Sequence, residues 1–133
     1  MNTKVMFSSA SDHWATPSVV YRALDDEFSF TLDPCPLYGT GGLESSWSGY
    51  RVFCNPPYSS IRPWLEKHSE PKLVVYLLPS RTDTKWFHEI ALPYAKEIRF
   101  LRGRLKFGGS KNSAPFPSLL AVFRNQPLHT EVS

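Results

Sequence analysis

The four residues Asn55-Pro56-Pro57-Tyr58 carry the clearest chemical signal in the sequence. They follow the apolar run Arg51-Val52-Phe53-Cys54. Two consecutive prolines interrupt helical and strand hydrogen bonding, so the predicted strand ends here. The loop holds a polar amide and an aromatic ring at the edge of a sheet, which suits binding of a planar base with an exocyclic amino group. An ordinary strand-ending turn, in a chain with 12 prolines, is the alternative interpretation.

These residue types support alkylation of an amino nitrogen. An adenine amino group is a weak nucleophile because its lone pair is delocalised into the ring. The side-chain oxygen of Asn55 and the carbonyl oxygen of Pro56 would each accept a hydrogen bond from the amino group. Both oxygens would also stabilise the positive charge that develops on the nitrogen. Tyr58 would stack on the base after the base has left any duplex. Water can take the proton from the product, so no general base is required.

Length and composition indicate one globular domain. The 133 residues, 41% apolar and 14% aromatic, allow a single core. We expect one minimal domain over 1–133, with a flexible tail at 1–12 and no separate target-recognition domain. No run approaches the ~20 apolar residues of a membrane span, and no secretory signal is apparent, so we expect a cytoplasmic protein. Two cysteines give no disulfide framework and four histidines show no ligand spacing, so we expect no metal.

Charge is distributed unevenly along the chain. Residues 1–50 carry two basic and six acidic side chains, whereas residues 51–133 carry thirteen and six, a net charge of +7. A basic half favours a polyanionic partner such as nucleic acid. A solvated edge strand protected by charge is the alternative. The candidate phosphate-contacting residues are Arg81, Arg102, Arg104, Lys106 and Lys111.

Hydrophobic periodicity predicts alternating helices and strands. One helix is predicted over 17–27. A second is predicted after a cap at Ser60, and a third begins with a cap at Thr82 or Asp83 and ends at Pro93. Strands are predicted over 28–32, 51–54, 73–78, 98–101, 104–107 and 119–123. Tryptophans assigned to the core are Trp47, Trp64 and Trp86. This order predicts an α/β sheet, mostly parallel, with an antiparallel C-terminal hairpin.

Polar residues follow three of the predicted strands. They are Asp33-Pro34-Cys35, Asn55-Pro56-Pro57-Tyr58 and Pro79-Ser80-Arg81. Because ligands of open α/β sheets bind at the carboxyl ends of the strands, we expect these three exits to converge on one crevice.

An ordered set of motifs covers about residues 12 to 124. It comprises Trp14-Ala15-Thr16-Pro17, Leu32-Asp33-Pro34-Cys35, Phe53-Cys54-Asn55-Pro56-Pro57-Tyr58-Ser59, Leu77-Leu78-Pro79-Ser80-Arg81-Thr82-Asp83-Thr84, Trp86-Phe87-His88, Gly103-Arg104-Leu105-Lys106-Phe107 and Pro115-Phe116-Pro117-Ser118. The set resembles the phage- and prophage-type DNA N6-adenine methyltransferases. Their catalytic loop begins with Asp, Asn or Ser, followed by two prolines and an aromatic residue.

The resemblance implies a compact Rossmann-like sheet and methyl transfer from S-adenosylmethionine to adenine N6 in double-stranded DNA, within a bacterial host cell. Modification against restriction and regulation are both open as the biological role. The implied catalytic residues are Asn55, Pro56, Pro57 and Tyr58. The implied cofactor-binding residues are Trp14, Thr16, Pro17, Asp33 and Pro34. Phe107, or else Phe116, would supply the second stacking face beside Tyr58.

Several alternatives stay open on the residues. The alternative interpretations are that Thr16 only caps a helix, that Asp33 only caps a turn, and that Phe107 only fills the core. The usual glycine motif does not follow Asp33, so the cofactor loop is expected to be rebuilt, with Glu44 the one acid available for a ribose. Alternative functions are cytosine-N4 or protein-glutamine methylation, and nucleic-acid binding without catalysis.

Overall fold

A four-stranded sheet is the framework of the structure. The structure, a computed structural model, describes residues 14–35, 41–107 and 114–125. The strands are β1 (Arg51–Cys54), β2 (Leu73–Pro79), β3 (Glu97–Phe100) and β4 (Ser118–Arg124). The helices are α1 (Ser18–Phe28), α2 (Arg62–Leu65) and α3 (Leu92–Tyr94), and a π-helical turn (Phe87–Ala91) directly precedes α3. In these described ranges, no helix has both the length and the apolar character needed to cross a membrane.

The strand order is β1-β2-β4-β3. β1 pairs in parallel with β2, whereas β4 pairs antiparallel with both β2 and β3. The expected antiparallel C-terminal pair is therefore confirmed. The expected parallel majority is wrong for the described strands, because β4 inserts between β2 and β3 and makes two of the three pairings antiparallel. β1, β2 and β3 nevertheless run in one direction, so their carboxyl ends lie at the same edge.

α1 confirms the helix predicted over 17–27. It ends at Ser29, whose backbone is left-handed with a φ of 54°. The strand predicted over 28–32 is wrong, because Phe28 belongs to the last turn of α1 and is buried there. Of that segment only Leu32 pairs, through a single parallel bridge to β1. The residues after Leu32 therefore still leave at the same sheet edge as β1.

β2 lies at the centre of the hydrophobic core. All seven of its residues are buried, as are six of the seven in β4. This confirms the strand predicted over 73–78, and the burial of all its residues shows that both of its faces are covered. The strands predicted over 98–101 and 119–123 correspond to β3 and β4. The tryptophans assigned to the core are buried or half-buried: Trp47, Trp64 and Trp86.

The strand predicted over 104–107 is wrong. Gly103 has a left-handed backbone with a φ of 71°, so the chain turns after β3 and continues without strand pairing through Phe107. Three basic residues of this segment therefore do not lie on one face of a strand: Arg102, Arg104 and Lys106.

The helix after the Asn55 loop is shorter than expected. α2 begins after Ile61, and no side-chain hydrogen bond caps it, so the predicted cap at Ser60 is wrong. Pro63 lies in the first turn, where its missing N–H is tolerated.

The third helical stretch is capped by a different residue from the one predicted. The Thr84 hydroxyl, rather than Thr82 or Asp83, accepts the N–H of Phe87 at 3.4 Å. Pro93 does not end the helix, which continues one residue further in α3. Because proline cannot donate a helical hydrogen bond, the widened π-helical turn before it accommodates the missing donor.

A close backbone contact joins the segment after Leu32 to the turn at Gly42. A Cβ placed on Gly42 would lie 1.8 Å from the Pro34 carbonyl oxygen and 3.0 Å from the Trp64 ring. The Gly42 carbonyl also accepts the indole N–H of Trp47 at 2.9 Å. Gly42 therefore holds one of the strand exits against the core.

We predict that Gly42→Ala lowers the free energy of unfolding by about 3 kcal/mol, because the Pro34 backbone cannot move aside for a methyl group. Gly49→Ala is the matched control: its φ is 83° but no atom lies within 4 Å of an added Cβ. The control should therefore lose only about 1 kcal/mol from backbone strain. Urea denaturation of both variants measures the difference, and equal losses would contradict the packing role of Gly42.

Candidate active site

The side-chain amide of Asn55 is held in one orientation. Asn55 directly follows β1 and is 2% exposed. Its Nδ2 donates to the backbone carbonyl of Trp14 and, at 3.0 Å, to the hydroxyl oxygen of Thr16. A backbone carbonyl only accepts hydrogen bonds, so the amino side of the amide must face Trp14. The hydrogen-bond network thus assigns the oxygen and nitrogen of this amide.

The opposite side of the same amide is unsatisfied. Oδ1 of Asn55 is buried and has no hydrogen-bond partner among the described residues. A buried acceptor left without a donor costs about 1–3 kcal/mol. A ligand that brings an N–H group to Oδ1 would remove this cost.

The two prolines after Asn55 set the path of the loop. Pro56 is buried and Pro57 is half-buried. The Pro57 carbonyl accepts the N–H of Ser60 at 3.1 Å, which closes a tight turn. This turn carries Tyr58 back against β2, where its hydroxyl donates to the Leu77 carbonyl at 3.4 Å.

Four rings pack together beside Asn55, and we call them the aromatic cluster: Trp14, Tyr58, Phe107 and Phe116. Trp14 lies 5.5 Å from both Phe107 and Phe116, measured between ring centroids. Tyr58 lies 5.6 Å from Phe116 and 6.4 Å from Phe107. The structure therefore brings together the rings considered for stacking on a base, Tyr58 with Phe107 or Phe116, and it adds Trp14 to them.

The rings of Tyr58 and Phe107 meet edge to face, at an interplanar angle of 80°. Both are buried, with exposures of 6% and 2%. A base sandwiched between two rings needs parallel faces, so its entry requires one ring to rotate. Burial raises the pKa of the Tyr58 phenol well above its ordinary value, which keeps the hydroxyl neutral.

Thr16 and Pro17 lie at the start of α1. Pro17 is the residue that precedes the first helical turn, and its carbonyl accepts the N–H of Tyr21 at 3.0 Å. No side chain caps α1 and its first turn holds no acid. Thr16 therefore does not act as a side-chain cap. The N–H groups of this turn suit a carboxylate, so the residues here fit the methionine end of S-adenosylmethionine.

Asp33 and Pro34 follow the bridge at Leu32. Asp33 is exposed, and its Oδ1 accepts the N–H of Cys35 at 3.1 Å, which is the turn-capping arrangement. Burial raises the pKa of the Cys54 thiol well above its ordinary value, and Cys35 and Cys54 are both buried and form no disulfide. Glu44 is exposed in the turn at 42–45. Over residues 14–35, 41–107 and 114–125, no three His, Cys, Asp or Glu side chains cluster as metal ligands would.

The candidate DNA-contacting residues are placed on one irregular segment and one strand exit. Arg102, Arg104 and Lys106 are exposed between β3 and the buried Phe107. Arg81 is exposed after β2, and its guanidinium lies 5.9 Å from the ring centroid of Phe116. Lys111 lies outside the described residues. Arg81 thus contacts the aromatic cluster, whereas the other three described basic residues precede Phe107 in the sequence.

Sequence reasoning missed two features of this site. The Trp14 carbonyl is a backbone group, so residue type gives no signal for its contact with Asn55. The hydroxyls of Ser80 and Ser118 are buried and lack a hydrogen-bond partner among the described residues. Ser80 belongs to a strand exit that the sequence identified, but its burial was not predictable from its type.

Comparisons with known proteins agree with the motif resemblance. A family model described as DNA N-6-adenine-methyltransferase (Dam) matches residues 3–128. The DNA N-6-adenine-methyltransferase of Haemophilus phage HP1 (strain HP1c1) is 30% identical over an aligned length of 146 residues, covering 92% of this chain and 82% of the phage protein. No solved structure matches the chain significantly.

We predict that Tyr58→Phe lowers the free energy of unfolding by about 1 kcal/mol or less, because it removes only the bond to the Leu77 carbonyl. Tyr58→Ala should lose about 3–5 kcal/mol, because it opens a cavity in the aromatic cluster. Chemical denaturation measures both values. A large loss for Tyr58→Phe would show that the hydroxyl, and not the ring, anchors this loop.

Proposed function

The chain belongs to the DNA N-6-adenine-methyltransferase (Dam) family, and we propose that it methylates adenine N6 with Asn55 as the acceptor of the amino group. DNA adenine methylation is the activity that family and phage relative both support. The proposal adds which residues act on the base, that S-adenosylmethionine is the cofactor, and that the target base is flipped out of the duplex.

The unpaired Oδ1 of Asn55 is the observation that carries the proposal. It is buried at the carboxyl edge of β1 and lacks a donor among the described residues, while Nδ2 of the same amide is already bonded twice. The adenine N6 group carries two N–H donors and is therefore the complementary partner. Cytosine N4 has the same donors, but the family favours adenine.

Asn55 and Pro56 would act on the amino nitrogen together. Oδ1 of Asn55 accepts one N6–H and the Pro56 carbonyl accepts the other, which draws the nitrogen lone pair out of the ring. The same two oxygens stabilise the positive charge that develops on nitrogen during transfer. Pro57 fixes the loop, and water takes the released proton. S-adenosylmethionine supplies the electrophilic methyl group when bound.

The target base would leave the duplex before it enters the site. Tyr58 provides one stacking face, and Phe107 provides the other after a ring rotation within the aromatic cluster. Burial of these rings excludes water from the amino group, which strengthens its bond to Asn55.

The cofactor would lie between α1 and the segment after Leu32. Trp14, Thr16 and Pro17 would hold its methionine end, where the uncapped first turn of α1 favours a carboxylate. Asp33 and Pro34 lie at the adjoining strand exit and would complete this side of the site.

Double-stranded DNA in the cytoplasm of a bacterial host would bind along the exposed basic residues. The contact of Arg81 with Phe116 supports phosphate binding near the flipped base. The residues are Arg81, Arg102, Arg104 and Lys106 within the described ranges, with Lys111 beyond them.

We predict that Asn55→Ala reduces methyl transfer at least about 100-fold, because the acceptor that polarises the amino group is lost. Nucleoside mass spectrometry of unmethylated DNA, after incubation with S-adenosylmethionine, measures N6-methyladenine directly. Ser60→Ala is the control from the same loop, since its side chain is exposed, and it should keep wild-type activity.

Full activity in a folded Asn55→Ala protein would contradict the assignment of Asn55. Wild-type protein that binds the cofactor but yields only N4-methylcytosine would contradict the choice of base. Wild-type protein that binds DNA and yields no methylated base, with no cofactor binding, would indicate a DNA-binding protein without catalysis.

We predict that neutralising Arg102 and Arg104 together weakens DNA binding. The slope of the logarithm of the DNA association constant against the logarithm of salt concentration should become shallower by about 2, one for each lost phosphate contact. Arg99→Gln is the matched control. Its guanidinium is already paired with Glu27 at 2.6 Å and Glu97 at 2.6 Å, so the salt slope should not change. An unchanged slope in the double variant would show that these arginines face solvent and contact no phosphate.

A further inference from the structure

We infer that Thr16 is a positioning residue for Asn55: its hydroxyl, together with the Trp14 carbonyl, fixes the amide so that Oδ1 alone remains for the substrate. The inference rests on the proposed role of Asn55 and deepens it. It assigns to Thr16 a second task beside its proposed contact with the cofactor.

Two bonds to one nitrogen determine the amide orientation. Nδ2 of Asn55 donates to the Trp14 carbonyl and to the Thr16 hydroxyl, which lie 41 and 39 residues away in the sequence. The carbonyl accepts only, so a rotated amide would place two acceptors in contact. The Thr16 hydroxyl can donate or accept a hydrogen bond. Because Nδ2 of Asn55 faces it, the hydroxyl oxygen is the acceptor here and the hydroxyl hydrogen points away from Asn55.

The segment that holds Asn55 is itself fixed at both ends. The ring of Trp14 packs against Phe107 and Phe116 at 5.5 Å from each. Pro17 restricts the preceding Thr16 to extended backbone and continues into α1. Because no side chain caps α1, the Thr16 hydroxyl is not used by the helix and is committed to Asn55.

This arrangement selects an amide over a carboxylate at position 55. An aspartate would be the stronger acceptor for an amino group, but it has no N–H to offer. One carboxylate oxygen would then face the Trp14 carbonyl, an acceptor against an acceptor in a buried site. We therefore expect Asn55→Asp to be less active than wild type, although it matches the reacting amino group electrostatically.

The test compares Thr16→Val with Thr16→Ser. Valine keeps the shape of threonine without the hydroxyl, whereas serine keeps the hydroxyl. We expect Thr16→Val to lower the single-turnover rate about tenfold, which is the loss of one buried hydrogen bond, and Thr16→Ser to restore it. All rates are measured at saturating S-adenosylmethionine, and calorimetry gives the Kd of the cofactor for each variant, so that a change in cofactor binding is separated from a change in the transfer rate.

A second readout does not require activity. The side-chain amide protons of Asn55, assigned in NMR spectra by their disappearance in Asn55→Ala, should exchange slowly with water in wild type and Thr16→Ser and faster in Thr16→Val. This measurement tests the positioning even if the wild-type protein methylates nothing, so failure of the proposed function is distinguishable from failure of this inference.

Three results would overturn the inference. The first is a Thr16→Val protein with an unchanged transfer rate and unchanged amide exchange. The second is weakened cofactor binding with an unchanged rate at saturating cofactor, which would assign Thr16 to the cofactor. The third is an Asn55→Asp protein that is more active than wild type, which would show that the Trp14 carbonyl imposes no choice between amide and carboxylate.

Discussion

The orientation of one buried amide is the constraint on which the candidate active site depends. Asn55 is bonded through Nδ2 to the Trp14 carbonyl and the Thr16 hydroxyl, and Oδ1 is left buried without a donor in the described parts of the chain. An unpaired buried acceptor is unfavourable by itself. The unpaired acceptor persists because both described hydrogen-bond partners of the amide lie on its Nδ2 side. The cost is consistent with a site that is completed by its substrate, since a bound amino group supplies the missing donor.

The sheet makes this geometry possible. β1 is fixed against the fully buried β2 in parallel register, with Cys54 opposite Tyr76, so the residue after Cys54 is placed by the core rather than by the loop. The segment ending at Leu32 joins β1 in the same direction through a single bridge. Three polar exits therefore leave one edge of the sheet. The aromatic cluster includes Tyr58 from the exit of β1, and Arg81 at the exit of β2 lies against its Phe116 ring. The adenine-binding and cofactor-binding roles that we propose thus lie at one edge of the sheet.

Sequence reasoning was most successful where one physical effect dominated. The run at 73–78 is apolar throughout and could only be a buried strand, and the pattern over 17–27 has a clear helical period. It failed where effects competed. Phe28 suited a strand but packs in the last turn of α1, and the alternation after Gly103 suggested a strand that its left-handed backbone prevents. The insertion of β4 between β2 and β3 depends on long-range pairing that local pattern does not encode. The Asn55 loop was found from residue type, whereas its partner at Trp14 is a backbone group and was not.

The central claim is that Asn55 Oδ1 binds the amino group of the target base, and a double-mutant cycle tests it most directly. The probes are thymidine oligonucleotides with a single central deoxyadenosine or, in its place, a purine deoxyriboside that lacks the 6-amino group. Dissociation constants are measured for wild type and Asn55→Ala. We predict that wild type prefers the amino-bearing probe and that this preference is about tenfold smaller in Asn55→Ala, which keeps only the Pro56 carbonyl as an acceptor. The same preference in both proteins would contradict the account, because the amino group would then be bound elsewhere.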